Sequence, residues 1–368
     1  MQYRKKTEKG LLAVTFLLIL YGLMMIASAG IVYSQTRFGD QYYFFKRQFF
    51  YGIIPGLLIM YVVQKIDYHR WKKIIIPFFV LALVCLILVF VPGVGMKIYG
   101  ANRWINLGPI SFQPSEMAKL AIIFYLAFWL ESKGERKIKD FFEGFVPFLG
   151  IMGIIGFLIV KQPDIGTLGV IVLSTLAMYF ASGARVAHLA ALFFSGLMGM
   201  FVLIKISPYR LNRMLAFMNP DVDTQGISYQ INQALIAIGS GGIFGIGLGH
   251  SRQKFNYLPE PVGDSIFAVV GEELGIVGAM FLVALFVYFA LKGFRIAKNA
   301  PDNFGKLLAV GITSWIIFQA FINIGSISAL IPLTGVPLPF ISYGGTSIIF
   351  LLAGVGLLMN ISKQAKDN

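Results

Sequence analysis

The sequence has a single cysteine, Cys85, and it sits inside an apolar block. One thiol cannot form an internal disulfide, so a disulfide scaffold and a redox pair are both excluded. Histidine is almost as scarce. His69, His188 and His250 are scattered, with no partner at metal-ligand spacing. Acidic residues number 17 against 31 Lys and Arg, and all charged residues together make up 13% of the chain, where soluble domains carry about a quarter. There is no Walker Lys-Ser/Thr ending, no G-x-G-x-x-G, no nucleophile elbow and no H-E-x-x-H. Nucleotide, dinucleotide, serine-hydrolase and zinc-protease chemistry therefore have no support.

Apolar residues are what the chain has in excess: 57% of the sequence, gathered in long blocks, with a mean hydropathy of +0.76. Windows of about 20 residues predict membrane spans near 11–33, 44–63, 74–92, 115–130, 143–160, 165–181, 186–206, 265–291, 307–330 and 343–361. The expected fold is an all-α integral membrane protein of about ten transmembrane helices, one polytopic domain over 1–368. Ala27-Ser28-Ala29 could pass for a signal-peptidase site, but the run from Leu11 to Tyr33 is long enough to span, so it reads as a signal anchor.

The net charge of +14 does not point to nucleic acid, because the basic residues lie between apolar blocks rather than on one face. It reports topology instead. With both termini cytoplasmic, inner segments hold 19 of the 31 Lys and Arg, including Arg4, Lys5, Lys6 and Lys366, and outer segments hold 11. Segments 93–114 and 207–264 are then extracytoplasmic. The second is the long connection between the seventh and eighth spans. Within it, Ile231, Ala234, Leu235 and Ile238 follow helical spacing, with Gln230 and Gln233 off the stripe, which predicts a helix lying in the membrane interface.

The informative residues are charges where a bilayer penalises them. Glu116 and Lys119 stand at i and i+3, on one face of the fourth span. That span reads as short, beginning at Gln113-Pro114-Ser115-Glu116 beneath a dipping 93–114 segment. The pair suits either a structural ion pair or a polar floor for a headgroup. Asp264 follows Tyr257-Leu258-Pro259-Glu260-Pro261-Val262-Gly263 and precedes the eighth span. A carboxylate at such a mouth could be a base with a raised pKa, or a helix N-cap, and spacing alone favours the cap. Glu272 and Glu273 lie further along the same span, where at least one is expected to meet a cation, and Asp164 reads as a helix cap. Six glycines between Gly239 and Gly249 suit tight chain reversal better than phosphate binding. Outer basic residues Arg47, Arg103, Arg210, Arg213, Arg252 and Lys254 would suit an anionic substrate as a set, and solvated loop charge one by one.

Three stretches carry a resemblance. Gly100-Ala101-Asn102-Arg103-Trp104-Ile105 with Gln113 through Lys119, Tyr257 through Asp264 with Gly271-Glu272-Glu273-Leu274-Gly275, and Pro337-Leu338-Pro339-Phe340-Ile341-Ser342-Tyr343-Gly344-Gly345 resemble the motifs of the SEDS family (shape, elongation, division and sporulation proteins). The resemblance implies a peptidoglycan glycosyltransferase that polymerises lipid II in the bacterial cytoplasmic membrane. It implies as partners a class B penicillin-binding protein transpeptidase and the division or elongation complex, and no nucleic acid. The wording around 257–275 looks like the division branch, while 332–337 reads as comfortably as the elongation branch. By this analogy Asp264 is the essential aspartate and Glu116–Lys119 a buried pair. Arg47, Arg103, Gln113, Ser115, Glu260 and Ser342 complete a substrate-binding or structural polar site. The transfer is expected to be metal-independent or assisted by a divalent cation, magnesium or manganese. Ser265, where many members have a bulky residue, departs from the pattern. The rival readings are a lipid II flippase and a non-catalytic scaffold for the transpeptidase.

Overall fold

The structure, a computed structural model, describes residues 8–98, 101–106, 108, 111–218, 227–255 and 257–365. Arg4, Lys5, Lys6, Gly100 and Lys366 lie outside them. Long apolar helices dominate, because within a bilayer every backbone N–H and C=O must find its partner inside its own segment. In chain order these are α1 (Lys9–Ala29), α2 (Ile31–Phe38), α3 (Tyr43–Gln48), α4 (Ile54–Val63), α5 (Ile75–Leu88), α6 (Pro114–Ile138), α7 (Val146–Lys161), α8 (Ile165–Ala181), α9 (Val186–Ile206), α10 (Pro208–Met218), α11 (Ile227–Ser240), α12 (Ile266–Lys298), α13 (Asn303–Ile327) and α14 (Gly345–Lys363).

A helix stands at each of the ten expected spans. Seven of the described helical segments are long and apolar enough to cross a membrane: α1, Tyr68–Leu88, Phe141–Lys161, α9, α12, α13 and α14. The other three depart for identifiable reasons. A π-helical turn, Phe49–Ile53, interrupts the segment made of α3 and α4. The fourth carries Glu116 and Lys119, and α8 has only 17 residues. The fourth span, expected from sequence to be short, is not. α6 continues to Ile138, and its run from Pro114 to the break at Gly134 spans about 30 Å, enough to cross.

α13 and α14 are the most buried of these spans, and α9 stands almost wholly exposed. α13 packs on α8, α12 and α6, and α14 packs on α4. The first and last described helices meet at one end of the bundle, where the Glu8 amide donates to Ser362 Oγ at 3.4 Å. There Lys292 Nζ lies 3.2 Å from Glu8 Oε2, and the Tyr68 amide donates to Asn360 Oδ1 at 3.0 Å. The opposite end gathers the irregular segments. The stretch 93–114, which shows no helical period, forms in part an antiparallel sheet of β1 (Gly95–Ile98), β2 (Ala101–Asn106) and β3 (Ser111–Phe112), in that order.

The long connection holds two helices where one was expected. α11 turns Ile231, Ala234 and Ala237 toward the protein and leaves Leu235 exposed, so its buried face is rotated slightly from the predicted stripe. α12 is broken at Gly275, whose φ of 65° and ψ of −167° no helix tolerates. The glycine-rich segment docks into this break. The amides of Ile246 and Gly247 donate to the carbonyls of Glu272 and Glu273, and those of Ile276 and Val277 donate to Gly242 and Ile243. A Cβ at Gly275 would lie 2.3 Å from the Gly245 nitrogen, so two backbones meet where only glycine fits.

Candidate active site around Asp264

The turn that carries Asp264 is held from several directions. Glu260 has a left-handed φ of 49°, rare for a side-chain-bearing residue, and its carbonyl accepts from the amides of Gly263 (3.0 Å) and Ser265 (3.3 Å). Ser342 Oγ donates to the Gly263 carbonyl at 2.7 Å and accepts from the Leu338 amide at 2.8 Å. Asn323 Nδ2, from α13, donates to the carbonyls of Asp264 (2.8 Å) and Val336 (2.7 Å). The backbone on both sides of the carboxylate is thereby fixed by α13 and by the segment before α14.

The carboxylate itself is lightly held. Gln230 Nε2, from α11, lies 3.5 Å from Asp264 Oδ1, at the outer limit of a hydrogen bond, and bonds better to Ser265 Oγ at 3.0 Å. The N-cap position of α12 belongs to Ser265, whose side chain makes no capping bond, so the capping role that spacing favoured for Asp264 is not what the structure contains. Asp264 keeps partial exposure within a crowded protein surround. Burial pushes its pKa up to about 6, the negative charge of Glu260 adds to the rise, and Arg213 and the Gln230 contact oppose it. Gly335 keeps the space beside it open: a Cβ there would lie 3.5 Å from Asp264 Oδ2, and its φ of 69° disfavours any side chain.

Deeper in the protein a second polar group continues from α13. Lys119 and Glu116 are both 1% exposed, and Lys119 Nζ donates to Glu116 Oε1 at 2.8 Å. Lys119 also donates to Gln319 Oε1 at 2.6 Å and sits 5.2 Å from the Trp315 ring centroid. Gln319 accepts in addition from Trp315 Nε1 at 2.9 Å and donates from Nε2 to the Pro337 carbonyl at 2.9 Å. Residues 315, 319 and 323 share one face of α13 at four-residue spacing. That face runs from the buried ion pair to the Asp264 carbonyl.

The remaining predicted positions divide. Glu260 and Ser342 join Asp264 directly. Ser115 is fully buried, and the Gln113 amide donates to Thr346 Oγ1 at 3.4 Å, tying the start of α6 to α14. Arg47 donates to Tyr43 Oη at 2.6 Å and stands beside Gln48, whose Oε1 accepts from the Gly344 amide. Arg103 braces the turn between α7 and α8, donating to the carbonyls of Gln162 (3.1 Å) and Pro163. Arg213 donates to the Leu333 carbonyl at 3.0 Å. Lys254 is not an outer loop charge. It is 2% exposed and bonds Glu273 Oε1 at 2.8 Å, with Ser28 donating to the same carboxylate. This is the cation that the Glu272–Glu273 pair was expected to meet. Asp164 caps α8 by accepting from the Thr167 amide.

Comparison with known sequences decides the family. The sequence model of the FtsW/RodA/SpoVE cell cycle proteins matches residues 9–367. The chain belongs to this family. It is 44% identical over 364 residues to stage V sporulation protein E of Bacillus subtilis, covering 98% of this chain and 99% of that one. It is 40% identical over 346 residues to a probable peptidoglycan glycosyltransferase FtsW of Geobacter metallireducens, covering 94% and 92%. The fold is similar to a chain from a peptidoglycan synthase complex that coordinates polymerization and crosslinking, with a TM-score of 0.80, 28% identity and 97% of both chains covered. It is similar too to the rod shape determining protein RodA of Thermus thermophilus, with a TM-score of 0.71, 27% identity and 98% of both covered.

Within this family site, Gln230, Trp315, Gln319 and Asn323 were not singled out as functional from sequence, and Arg213 was named only as one of the outer basic set. Gln319 and Asn323 were readable in principle, since two amides four residues apart inside an apolar span are costly unless they face partners. The contact of Arg213 with Leu333 had no sequence signal, because it depends on how α10 packs.

Proposed function

We propose that the chain is a peptidoglycan glycosyltransferase that polymerises lipid II at the outer face of the bacterial cytoplasmic membrane, with Asp264 as the general base. What supports the base is a carboxylate with a raised pKa, fixed through its backbone and used in no capping bond. A base with pKa near 6 is ionised at neutral pH and a better proton acceptor than an ordinary aspartate. Asp264 would take the proton from the acceptor sugar hydroxyl as that oxygen attacks the anomeric carbon of the lipid-linked donor. The bond to undecaprenyl pyrophosphate breaks, and the anomeric centre inverts. Asn323 and Ser342 hold the base in place, and Glu260 raises its proton affinity.

Asp264 and Glu260 offer hard oxygen donors of the kind magnesium and manganese accept. Among the described residues no third His, Cys, Asp or Glu joins them. These two carboxylates would hold such an ion, and the chemistry it would supply is positive charge to balance the pyrophosphate leaving group.

In this reading both termini are cytoplasmic, the whole chain is one polytopic domain, and 207–264 with α11 lies at the outer interface. The excess of Lys and Arg on the terminal side supports that orientation. The partner is a class B penicillin-binding protein transpeptidase within a division or elongation complex. That pairing is supported by the similarity to a chain from a synthase complex. The test is strand formation from purified lipid II by purified protein, with and without the transpeptidase. Absence of polymer in both conditions, with intact transbilayer movement of lipid II, would favour a flippase.

A further inference from the structure

On the flank formed by α5 and α7 the surface opens into a groove of about 490 Å³. Leu83 and Ile87 form one wall, Ile154 and Phe157 the other, and Gly150 and Gly153 lie between. Among the described residues nothing stands within 4 Å of where a Cβ at Gly150 or Gly153 would be, so the two glycines leave the slot open. The lining is apolar throughout. From Gly150 to Leu158 it runs roughly 12 Å along the helix, most of the ~15 Å of hydrocarbon in one leaflet. A slot of this size is too narrow for a helix about 10 Å across, but it accepts a single flexible chain.

The groove has a polar upper end, on the Asp264 side of the bundle. Gln162 Nε2 donates to the Leu86 carbonyl at 2.9 Å and ties the end of α5 to the residue after α7. Lys161 Nζ stands 5.5 Å from the ring of Phe157, a wall residue, so a cation lies at the mouth. Arg210, from α10, donates to the carbonyl of Val160, the residue before Lys161, at 3.4 Å and to the Leu203 carbonyl at 3.2 Å, which leaves further N–H donors on its guanidinium. One turn along α10, Arg213 bonds Leu333 and acts on the charge of Asp264. The path to Asp264 also runs through α8. A Cβ at Gly166 would touch Val336 Cγ2 and Thr334, the neighbours of the Gly335 that borders the Asp264 carboxylate.

We propose that the α5–α7 groove holds the polyprenyl chain of the lipid-linked substrate, with Lys161 and Arg210 at its mouth receiving the pyrophosphate. The inference rests on the polymerase reading and adds the seat of the lipid. An apolar slot ending in two cations, joined to the reactive carboxylate by α8 and α10, matches a long isoprenoid carrying an anionic head.

The experiment uses purified full-length protein in vesicles of phosphatidylglycerol and phosphatidylethanolamine. The probe is a polyprenyl pyrophosphate bearing a diazirine in its chain. Light should attach it to peptides of α5 and α7, and unlabelled polyprenyl pyrophosphate should compete where added phospholipid does not. Gly153→Leu fills the slot, improves helix propensity and meets open space, so it should fold, and it should cut this labelling about tenfold or more. In polymerisation it should raise KM for long-tailed substrate with kcat largely kept, and Lys161→Gln should raise KM as well. Leu149→Phe, on the exposed lipid side of α7 and outside the groove, is the control that should change neither readout. Equal competition by phospholipid would mean that bulk lipid fills the slot, and undiminished labelling of Gly153→Leu would place the chain elsewhere. Either result overturns the proposal. Labelling needs no turnover, so a protein that labels as expected yet makes no polymer would refute the polymerase reading and leave the lipid seat standing.

Discussion

Removing one partner of the Lys119–Glu116 pair should cost far more than removing the charges of both. Each side chain is 1% exposed, so neither can turn to water when its partner goes. Glu116→Gln leaves a buried ammonium whose nearest remaining acceptor is Gln319 Oε1, already shared with Trp315 Nε1. Lys119→Met leaves a buried carboxylate with no donor in place of the lysine. Each single change should cost roughly 3–5 kcal/mol. The double variant Glu116→Gln with Lys119→Met buries no charge and should cost less than either single change, so the coupling should exceed one single loss, roughly 3 kcal/mol or more. A charge swap should not rescue the fold. Gln319 is locked with its oxygen toward position 119, because its Nε2 donates to Pro337, so a glutamate at 119 would face an acceptor. A lysine at 116 would also stand in the first turn of α6, where the helix dipole disfavours a cation. The assay is equilibrium unfolding of purified protein in mixed detergent micelles, with the four variants and wild type compared at matched conditions. Strict additivity of the two single losses, or full recovery by the swap, would refute a buried pair oriented by Gln319.

Polymerisation should fall as pH drops through about 6, where Asp264 gains its proton. Glu260→Gln removes a neighbouring negative charge and should move that limb to lower pH, and a shift the other way would contradict the electrostatics. Gly275→Ala should abolish folded yield, since the methyl would meet the Gly245 nitrogen at 2.3 Å and the φ is positive; a normally melting variant would show that the two backbones do not touch. With Cys85 replaced by Ala, a cysteine at Arg252 should react with an impermeant maleimide in intact cells and one at Lys137 should not. The opposite pattern would invert the topology.

The membrane class, the number of helical segments and their approximate centres were legible because apolar blocks about 20 residues long match the thickness of a bilayer's hydrocarbon core and are rare in water-soluble chains. The pairing of Glu116 with Lys119 was legible from three-residue spacing inside an apolar span. Other features depend on distant contacts. The break at Gly275 is dictated by the glycine segment that fills it, some 30 residues earlier in the chain, and neither stretch announces the other. The sheet over 95–112 has strands too short to show alternation. Asp264 looked like a cap because caps and bases use the same residue at the same place. The distinction came only from Ser265 occupying the N-cap position and Gln230 approaching from α11.

Asp264→Asn separates the base from every structural role. Asn has the same size and caps helices about as well as Asp. The folded protein holds the Asp264 proton more tightly than an unfolded chain, whose carboxyl titrates near 3.8. Ionisation therefore costs stability as pH rises through about 4 to 6, and the Asn variant should melt no lower than wild type at neutral pH. The measurement is the rate of glycan-strand formation from lipid II by wild type and Asp264→Asn, at matched amounts of folded protein and with the transpeptidase present. Loss of a general base should slow turnover about 10²–10⁴-fold, roughly 3–5 kcal/mol of barrier, in a variant that still folds and binds its partner. Turnover within a few-fold of wild type would remove Asp264 from the chemistry.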